Sequence, residues 1–115
     1  MITENEMYEI QRNLQKRISP EVNNAINSSE EKVKEDVSIM QAVYMSDECF
    51  EVLRELNFKP WRSIKDINRE KLLEELVDVR KFLMNLELIW GFSIDDIHNK
   101  FLEKTQINID RSNGK

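Results

Sequence analysis

The sequence has very little glycine and proline: two of each among 115 residues, where a combined level of about 12 per cent is usual. β-Sandwiches and doubly wound α/β folds need many turn residues, so this scarcity disfavours both. The single cysteine, Cys49, excludes an internal disulfide and fits a reducing cytoplasm. The longest apolar stretch, residues 82–92, is interrupted by Asn85 and Glu87 and is too short to span a bilayer.

Positive charge is also in short supply. The 17 Lys and Arg residues against 22 Asp and Glu residues give a formal net charge of −5. Nucleic-acid binders normally present a basic surface, so this balance argues against that class. The length suits one domain over residues 1–115. With 40% apolar residues the chain fills only a modest core, and small chains often gain stability by self-association.

Hydrophobic spacing predicts helices over most of the chain. The first helix, whose apolar stripe begins at Met7, stops before Pro20 because a residue that precedes proline avoids the helical conformation. The polar residues 19–28 are predicted to form a loop. Ser28 and Glu31 have the spacing of a capping box, which predicts the start of the next helix there.

The second half of the chain is also predicted to be helical. The second helix either runs on unbroken or gives way to a new helix at Ser46, and a loop follows over residues 57–66. The strongest helical periodicity covers residues 72–90 and ends at Gly91, a natural C-cap. Ser93 begins a last helix. These segments predict an all-α bundle of four or five helices with short links.

Two pairs of carboxylates differ from the solvated charges elsewhere. Glu48 and Glu51 form one pair and Glu75 and Asp78 the other, and the members of each are three residues apart, so they share a helix face. If the two helices pack antiparallel, the four carboxylates converge, and converging anions repel unless a cation lies among them. Oxygen-only ligands favour Mg²⁺, with Mn²⁺ also possible. The same spacing is ordinary on acidic surface helices, and that interpretation stays open.

The second pair belongs to a longer stripe. Glu75, Asp78, Phe82 and Asn85 follow one another at helical spacing, beside the leucine stripe where a bundle interior would begin. Two carboxylates, a ring and an amide on one face suit a nucleotide pocket. A di-iron site is disfavoured because it needs two Glu-x-x-His motifs, and His98 is the only histidine. The chain has no glycine-rich loop, which excludes P-loop and Rossmann phosphate sites.

Basic residues that suit phosphate occur in two places. Lys104, Asn108 and Arg111 share a face of the last helix, and Lys59 lies beside Trp61 in the predicted loop. A triphosphate needs cationic side chains in addition to a metal, and arginine grips phosphate oxygens in a bidentate manner. The simpler interpretation is that these cations complement helix dipoles and that Trp61 covers the core.

Together these motifs resemble the all-α NTP pyrophosphatase superfamily, which carries E-x-x-E followed by E-x-x-D. The chain is most similar to the dimeric dUTPases within it, in particular the dCTPase-dUTPases of phage type. The similar segments are residues 7–15, 58–62 (F-K-x-W-K in the family), 75–85 (E-L-V-D-x-x-H-F-x-L-N) and 104–111 (K-N-x-x-N-x-x-R-Q). The chain departs from the family at Lys81, Thr105 and Ser112, where the family has His, Asn and Gln.

The resemblance implies hydrolysis of dUTP, dCTP or both to the monophosphate and pyrophosphate. It implies that Glu48, Glu51, Glu75 and Asp78 hold Mg²⁺ and that Glu51 also activates the attacking water. It further implies a homodimer or larger homo-oligomer in the cytoplasm of a bacterium or a phage-infected host. The implied substrate contacts are Lys104, Arg111 and Lys59 for the phosphates, Gln11, Asn85 and Asn108 for base or sugar, and Phe82 or Trp61 for stacking on the base.

Two other functions stay open at this point. One is a broad-range housecleaning NTP pyrophosphatase of the MazG type, which a panel of nucleotides would separate from a dUTP or dCTP enzyme. The other is a helical interaction protein that has lost efficient chemistry, suggested by the C-terminal departures at Thr105 and Ser112. Such a protein is predicted not to bind nucleotides in a Mg²⁺-dependent manner.

Overall fold

The structure is a computed structural model that describes residues 1–114, so Lys115 of the predicted domain lies outside it. The described residues form five helices and no strand, which confirms the predicted all-α bundle. The helices are α1 (Glu4–Ile18), α2 (Pro20–Asn27), α3 (Glu31–Arg54), α4 (Arg69–Ile89) and α5 (Ile94–Ser112). Among these helices, none has the length and apolarity needed to cross a membrane.

Several helix ends follow from local sequence signals. The Thr3 and Glu6 side chains form a capping box at the start of α1, and Ser93 and Asp96 do the same for α5, as the spacing at Ser93 predicted. Gly91 adopts a φ of +70° after α4, and the next residue donates its N–H back to the Glu87 carbonyl. This Schellman ending confirms the predicted stop at Gly91.

The predicted loop over residues 19–28 is wrong, because most of that segment is α2. Ser19 caps the helix by accepting a hydrogen bond from the backbone N–H of Val22, and Pro20 occupies the first turn, where its missing N–H costs nothing. Val22 and Ala25 are fully buried against α4. Tertiary burial therefore outweighs the weak helix propensity of the asparagines in this segment.

The predicted capping box of Ser28 and Glu31 is also wrong. Glu30 is the N-cap of α3 and makes no side-chain capping bond, while the Ser28 hydroxyl accepts a hydrogen bond from the Glu30 N–H at 3.0 Å. That contact closes a short turn before the helix. From Glu31 the helix α3 runs unbroken to Arg54, so no new helix begins at Ser46.

Helices α3 and α4 pack antiparallel along their lengths. The indole Nε1 of Trp90, just after α4, donates to the Ser38 hydroxyl at 2.8 Å. Earlier in α4, the Asn85 amide donates to the Gln41 side chain at 3.0 Å. Positions that rise along α3 thus pair with positions that fall along α4. This arrangement is the one needed for the two carboxylate pairs to meet.

The buried apolar core is small, and half of its residues lie on α4. One cluster contains Tyr8, Met84 and Leu88, and the other contains Val22, Ala25 and Ile89. The leucine stripe expected at the bundle interior is in part exposed: Leu76 is 48% exposed and Leu83 45%. Helix α4 instead turns the face with Met84, Leu88 and Ile89 inward, because α1 and α2 cover that side.

Two parts of the chain project from this core. Residues 55–68 connect α3 to α4 without a helix, in agreement with the predicted loop over 57–66. Ile94 and Ile97 anchor the start of α5 on the core, but Phe101 and Leu102 further along are exposed. The later turns of α5 therefore leave most of their large apolar side chains exposed.

Candidate active site

Three of the predicted carboxylates converge between α3 and α4. Glu48, Glu75 and Asp78 each offer one oxygen, and these oxygens all lie within 4.8 Å of one another. Glu75 is the most buried of the three, at 6% exposed, whereas Asp78 faces solvent. The antiparallel packing of the two helices produces this cluster from residues that are far apart in the sequence.

Neighbouring positive charges neutralise the three carboxylates of the cluster only in part. Desolvation raises the pKa of Glu48, and the charges of Asp78 and Glu75 raise it further. One cation touches the cluster from within α4: the Lys71 ammonium lies 3.0 Å from Glu75, and that hydrogen bond and charge raise the pKa of Lys71. The three carboxylates offer hard oxygen donors, and the raised pKa of Glu48 shows that negative charge is concentrated there. Both features fit a divalent cation of the Mg²⁺ or Mn²⁺ class.

Glu51, the fourth predicted ligand, lies outside the group of three. Its carboxylate forms an ion pair with Arg54 on the next turn of α3. The charge of Glu51 still contributes to the raised pKa of Glu48, so the two side chains are electrostatically coupled. A role for Glu51 beside the other three carboxylates requires its pairing with Arg54 to open.

A cleft of about 440 Å³ extends from the carboxylates between α1, α3 and α4. Glu48 and Asp78 line one end, and an aromatic pair follows. The rings of Tyr44 and Phe82 have centroids 6.0 Å apart and are tilted by 52°. Phe82 was predicted from the sequence as a stacking residue, and the cleft contains it. Tyr44 was not predicted.

Buried amides line the opposite part of the cleft. Gln11 is 2% exposed, Asn85 3% and Gln41 7%. The Gln11 Nε2 donates to Asn85 Oδ1 at 2.9 Å, and Asn85 Nδ2 donates to Gln41 Oε1 at 3.0 Å. The Lys81 ammonium donates to Gln11 Oε1 at 3.1 Å. The predicted amides Gln11 and Asn85 thus belong to one hydrogen-bonded chain that also includes Gln41 and Lys81.

Besides Tyr44, sequence inspection missed four polar residues of this cleft: Gln15, Ser19, Gln41 and Lys81. A signal existed for Gln41, since it precedes Tyr44 and Glu48 at helical spacing on α3 and so continues the carboxylate stripe. Gln15 follows Gln11 by one helical turn in the same way. The position of Lys81 relative to Gln11 depends on the packing of α1 on α4, which no local pattern reports.

The other predicted substrate residues lie elsewhere. Lys59 and Trp61 line a separate cleft of about 670 Å³ in the loop between α3 and α4, where Trp61 is 75% exposed. The side chains of Lys104, Asn108 and Arg111 lie on the exposed later turns of α5. The cleft that contains the carboxylates includes none of these five residues.

Comparison with known proteins agrees with the four-helix part of this description. A family model described as dUTPase matches residues 4–90, which span α1 to α4, the carboxylate cluster and the amide chain, while α5 lies beyond the match. Comparisons with curated proteins and with solved structures gave no match. Because the family model covers well over half of the sequence, the chain belongs to the dUTPase family.

Proposed function

We propose that the protein is a Mg²⁺-dependent pyrophosphohydrolase that converts dUTP, dCTP or both to the monophosphate and pyrophosphate. One observation carries the proposal: a single cleft joins an oxygen-only carboxylate cluster to an aromatic pair and to buried amides. A triphosphate placed with its phosphates near the carboxylates would lie with its base among rings and amides. Membership of the dUTPase family supports the same substrate class.

Glu48, Glu75 and Asp78 are the residues that would hold Mg²⁺ or Mn²⁺. When bound, the ion would supply charge neutralisation for the phosphates. The proposed reaction is attack of water on the α-phosphorus, with cleavage of its bond to the oxygen that bridges to the β-phosphate. Glu51 would accept the proton of that water, and this requires its ion pair with Arg54 to open when substrate binds.

The base would lie between the aromatic pair and the amides. Phe82 supplies a half-buried ring in the cleft, which favours it over the exposed Trp61 as the stacking residue. Gln11 and Asn85 belong to the chain of buried amides that lines the cleft, and we assign this part of the cleft to the base or sugar. These contacts orient the α-phosphorus toward the carboxylate end.

The substrate contacts of Lys59, Lys104 and Arg111 with phosphate, and of Asn108 with base or sugar, are proposed to depend on a homodimer or a larger homo-oligomer. The radius of gyration is 17.3 Å, compared with about 13 Å for a compact chain of this length. Large apolar side chains are exposed on four helices; they include Ile10 and Ile18 on α1, Ile39, Met40 and Val43 on α3, Leu73, Val77 and Leu83 on α4, and Phe101 and Leu102 on α5. Such exposure is typical of a surface that a partner covers.

A nucleotide panel tests the proposal. Purified protein is incubated with each common dNTP and NTP in Mg²⁺, and the monophosphate and pyrophosphate are quantified. We expect turnover of dUTP, dCTP or both and little turnover of purine nucleotides. Comparable turnover across the panel would instead identify a broad-range MazG-type enzyme. Absence of any turnover would contradict the proposal and favour an interaction protein without catalytic activity.

A further inference from the structure

The hydrogen bonds among the buried amides have a direction. An ammonium group has three donors and no acceptor, so the Lys81 Nζ that lies 3.1 Å from Gln11 must face the amide oxygen of that residue. The Gln11 nitrogen then faces Asn85, whose oxygen accepts at 2.9 Å. The Asn85 nitrogen is left to donate to the Gln41 oxygen at 3.0 Å. The Gln11 nitrogen also makes a longer hydrogen bond, of 3.5 Å, to the backbone carbonyl of Lys81, which favours the same direction. Each later amide is oriented by the residue before it.

The chain of amides ends at the cleft with an unused donor. The amide nitrogen of Gln41 has no hydrogen-bond partner among residues 1–114, although Gln41 is only 7% exposed and lines the cleft. Gln15, 6% exposed, also lines the cleft, and its amide has no partner among the same residues. Within the described chain, no polar side-chain atom that is sealed from solvent lacks a partner. The free amide groups therefore reach the cleft, where a ligand can satisfy them.

We infer that Lys81 is a positioning residue that selects the base by setting the direction of this amide chain. The inference rests on the proposed function and deepens it by choosing between its two substrates. With the Gln41 oxygen occupied by Asn85, Gln41 presents an N–H donor to the ligand. Uracil carries a carbonyl oxygen at C4, which accepts such a donor, whereas cytosine carries an amino group there, which cannot. The protein therefore prefers dUTP to dCTP.

The side chain at position 81 controls this direction because of what it can donate. A neutral imidazole, which the resembling sequences have at this place, can donate or accept and leaves both directions open. Lysine permits only one. A carboxylate at the same place can only accept, so it would reverse every amide in turn and present the Gln41 oxygen to the base. A reversed chain suits the amino group of cytosine.

The competing explanation is that Lys81 acts through its charge alone, by weakening the repulsion between the carboxylates and a triphosphate. Loss of a general charge effect lowers kcat/KM for both nucleotides by the same factor and leaves their ratio unchanged. Loss of the directing hydrogen bond changes the ratio. The ratio of the two kcat/KM values is therefore the quantity that separates the two explanations.

The test measures kcat/KM for dUTP and dCTP in the wild type and in position-81 variants. We expect the wild type and Lys81→Arg to prefer dUTP by about tenfold or more, because a donor facing a donor leaves buried groups unpaired. Lys81→Met should reduce the preference to within about threefold, and Lys81→Glu should invert it. Arg80→Met is the matched control, since it removes a cation from the adjacent, exposed position outside the cleft, and should keep the wild-type ratio.

An unchanged ratio in both Lys81→Met and Lys81→Glu would overturn the inference, as would a wild type that prefers dCTP or shows no preference. Calorimetric binding of dUMP and dCMP to the same variants separates this failure from failure of the proposed function. Selective dUMP binding that follows the same order among variants, without turnover of either triphosphate, would overturn the hydrolase proposal and support the amide direction. Binding of neither monophosphate together with no turnover would overturn both.

Discussion

Glu48 lies where burial and four other acidic side chains raise the cost of its ionisation. Burial and the charges of Asp78 and Glu75 raise its pKa above the ordinary value of 4.5. The folded chain therefore binds a proton at this site more tightly than the unfolded chain does. The stabilisation from that proton is complete below pH 4.5 and is lost as the pH rises through the raised pKa.

The raised pKa means that ionised Glu48 destabilises the folded protein. We therefore predict that Glu48→Gln stabilises the metal-free protein more at pH 7 than at pH 4, because the amide cannot ionise. Thermal unfolding at both pH values should show a melting temperature a few degrees above the wild type only at the higher pH. Added Mg²⁺ should then stabilise the wild type more than the variant. Glu35→Gln, an exposed carboxylate on the same helix, is the control, and an equal shift in both variants would argue against the repulsion.

The contacts of Glu51 in the structure differ from those that its proposed role requires. Its carboxylate is held by Arg54 rather than by the cluster, yet it is the proposed proton acceptor for the attacking water. We predict that Glu51→Gln lowers kcat by about 10²-fold or more, in the range of general-base losses, while thermal unfolding changes little. Asp47→Asn removes an exposed carboxylate nearby on α3 and should retain most of the activity. Full activity of Glu51→Gln would assign the proton to another group.

At the scale of the helices, one lysine joins the ends of two of them. The Lys34 ammonium donates to the carbonyls of Ala25 at 2.8 Å and Ile26 at 3.3 Å, in the last turn of α2, and to that of Ile89 at 2.6 Å, at the end of α4. These carbonyls belong to the set that a helix leaves unsatisfied at its C-terminus. A cation there also complements both helix dipoles.

We predict that Lys34→Met destabilises the fold by about 1–3 kcal/mol, because three partly buried carbonyls lose their donor. Urea unfolding followed by circular dichroism measures the change. Lys32→Met removes a neighbouring lysine that makes only an exposed ion pair with Asp36 and should have little effect. Equal losses of stability in the two variants would show that the hydrogen bonds from Lys34 to the ends of α2 and α4 contribute nothing specific.

The helices that carry their own signals were predictable from the sequence, and those that depend on packing were not. The stop at Gly91 and the cap at Ser93 are local, and both were confirmed. Helix α2 is eight residues long, too short to be stable alone, and exists because Val22 and Ala25 are buried. The hydrogen bond from Lys81 to Gln11 joins residues 70 positions apart, so no periodicity could reveal it.

At the scale of the whole molecule, the chain is extended and leaves large apolar side chains uncovered. Phe101, 69% exposed on α5, is one that the proposed self-association would bury. We predict that the wild type is a dimer or larger by light scattering and that Phe101→Glu shifts it toward the monomer. Gln106→Glu places the same new charge on an exposed polar position of α5 and should leave the assembly intact. A monomeric wild type would contradict the assembly.

The most direct test of the central claim compares two neighbouring glutamates of α4. Glu75 contributes an oxygen to the carboxylate cluster, whereas Glu74 is exposed and outside it. dUTP is incubated in Mg²⁺ with the wild type, Glu75→Gln and Glu74→Gln, and dUMP and pyrophosphate are quantified. We expect equal amounts of the two products from the wild type and Glu74→Gln and almost none from Glu75→Gln. Wild-type turnover by Glu75→Gln would contradict it.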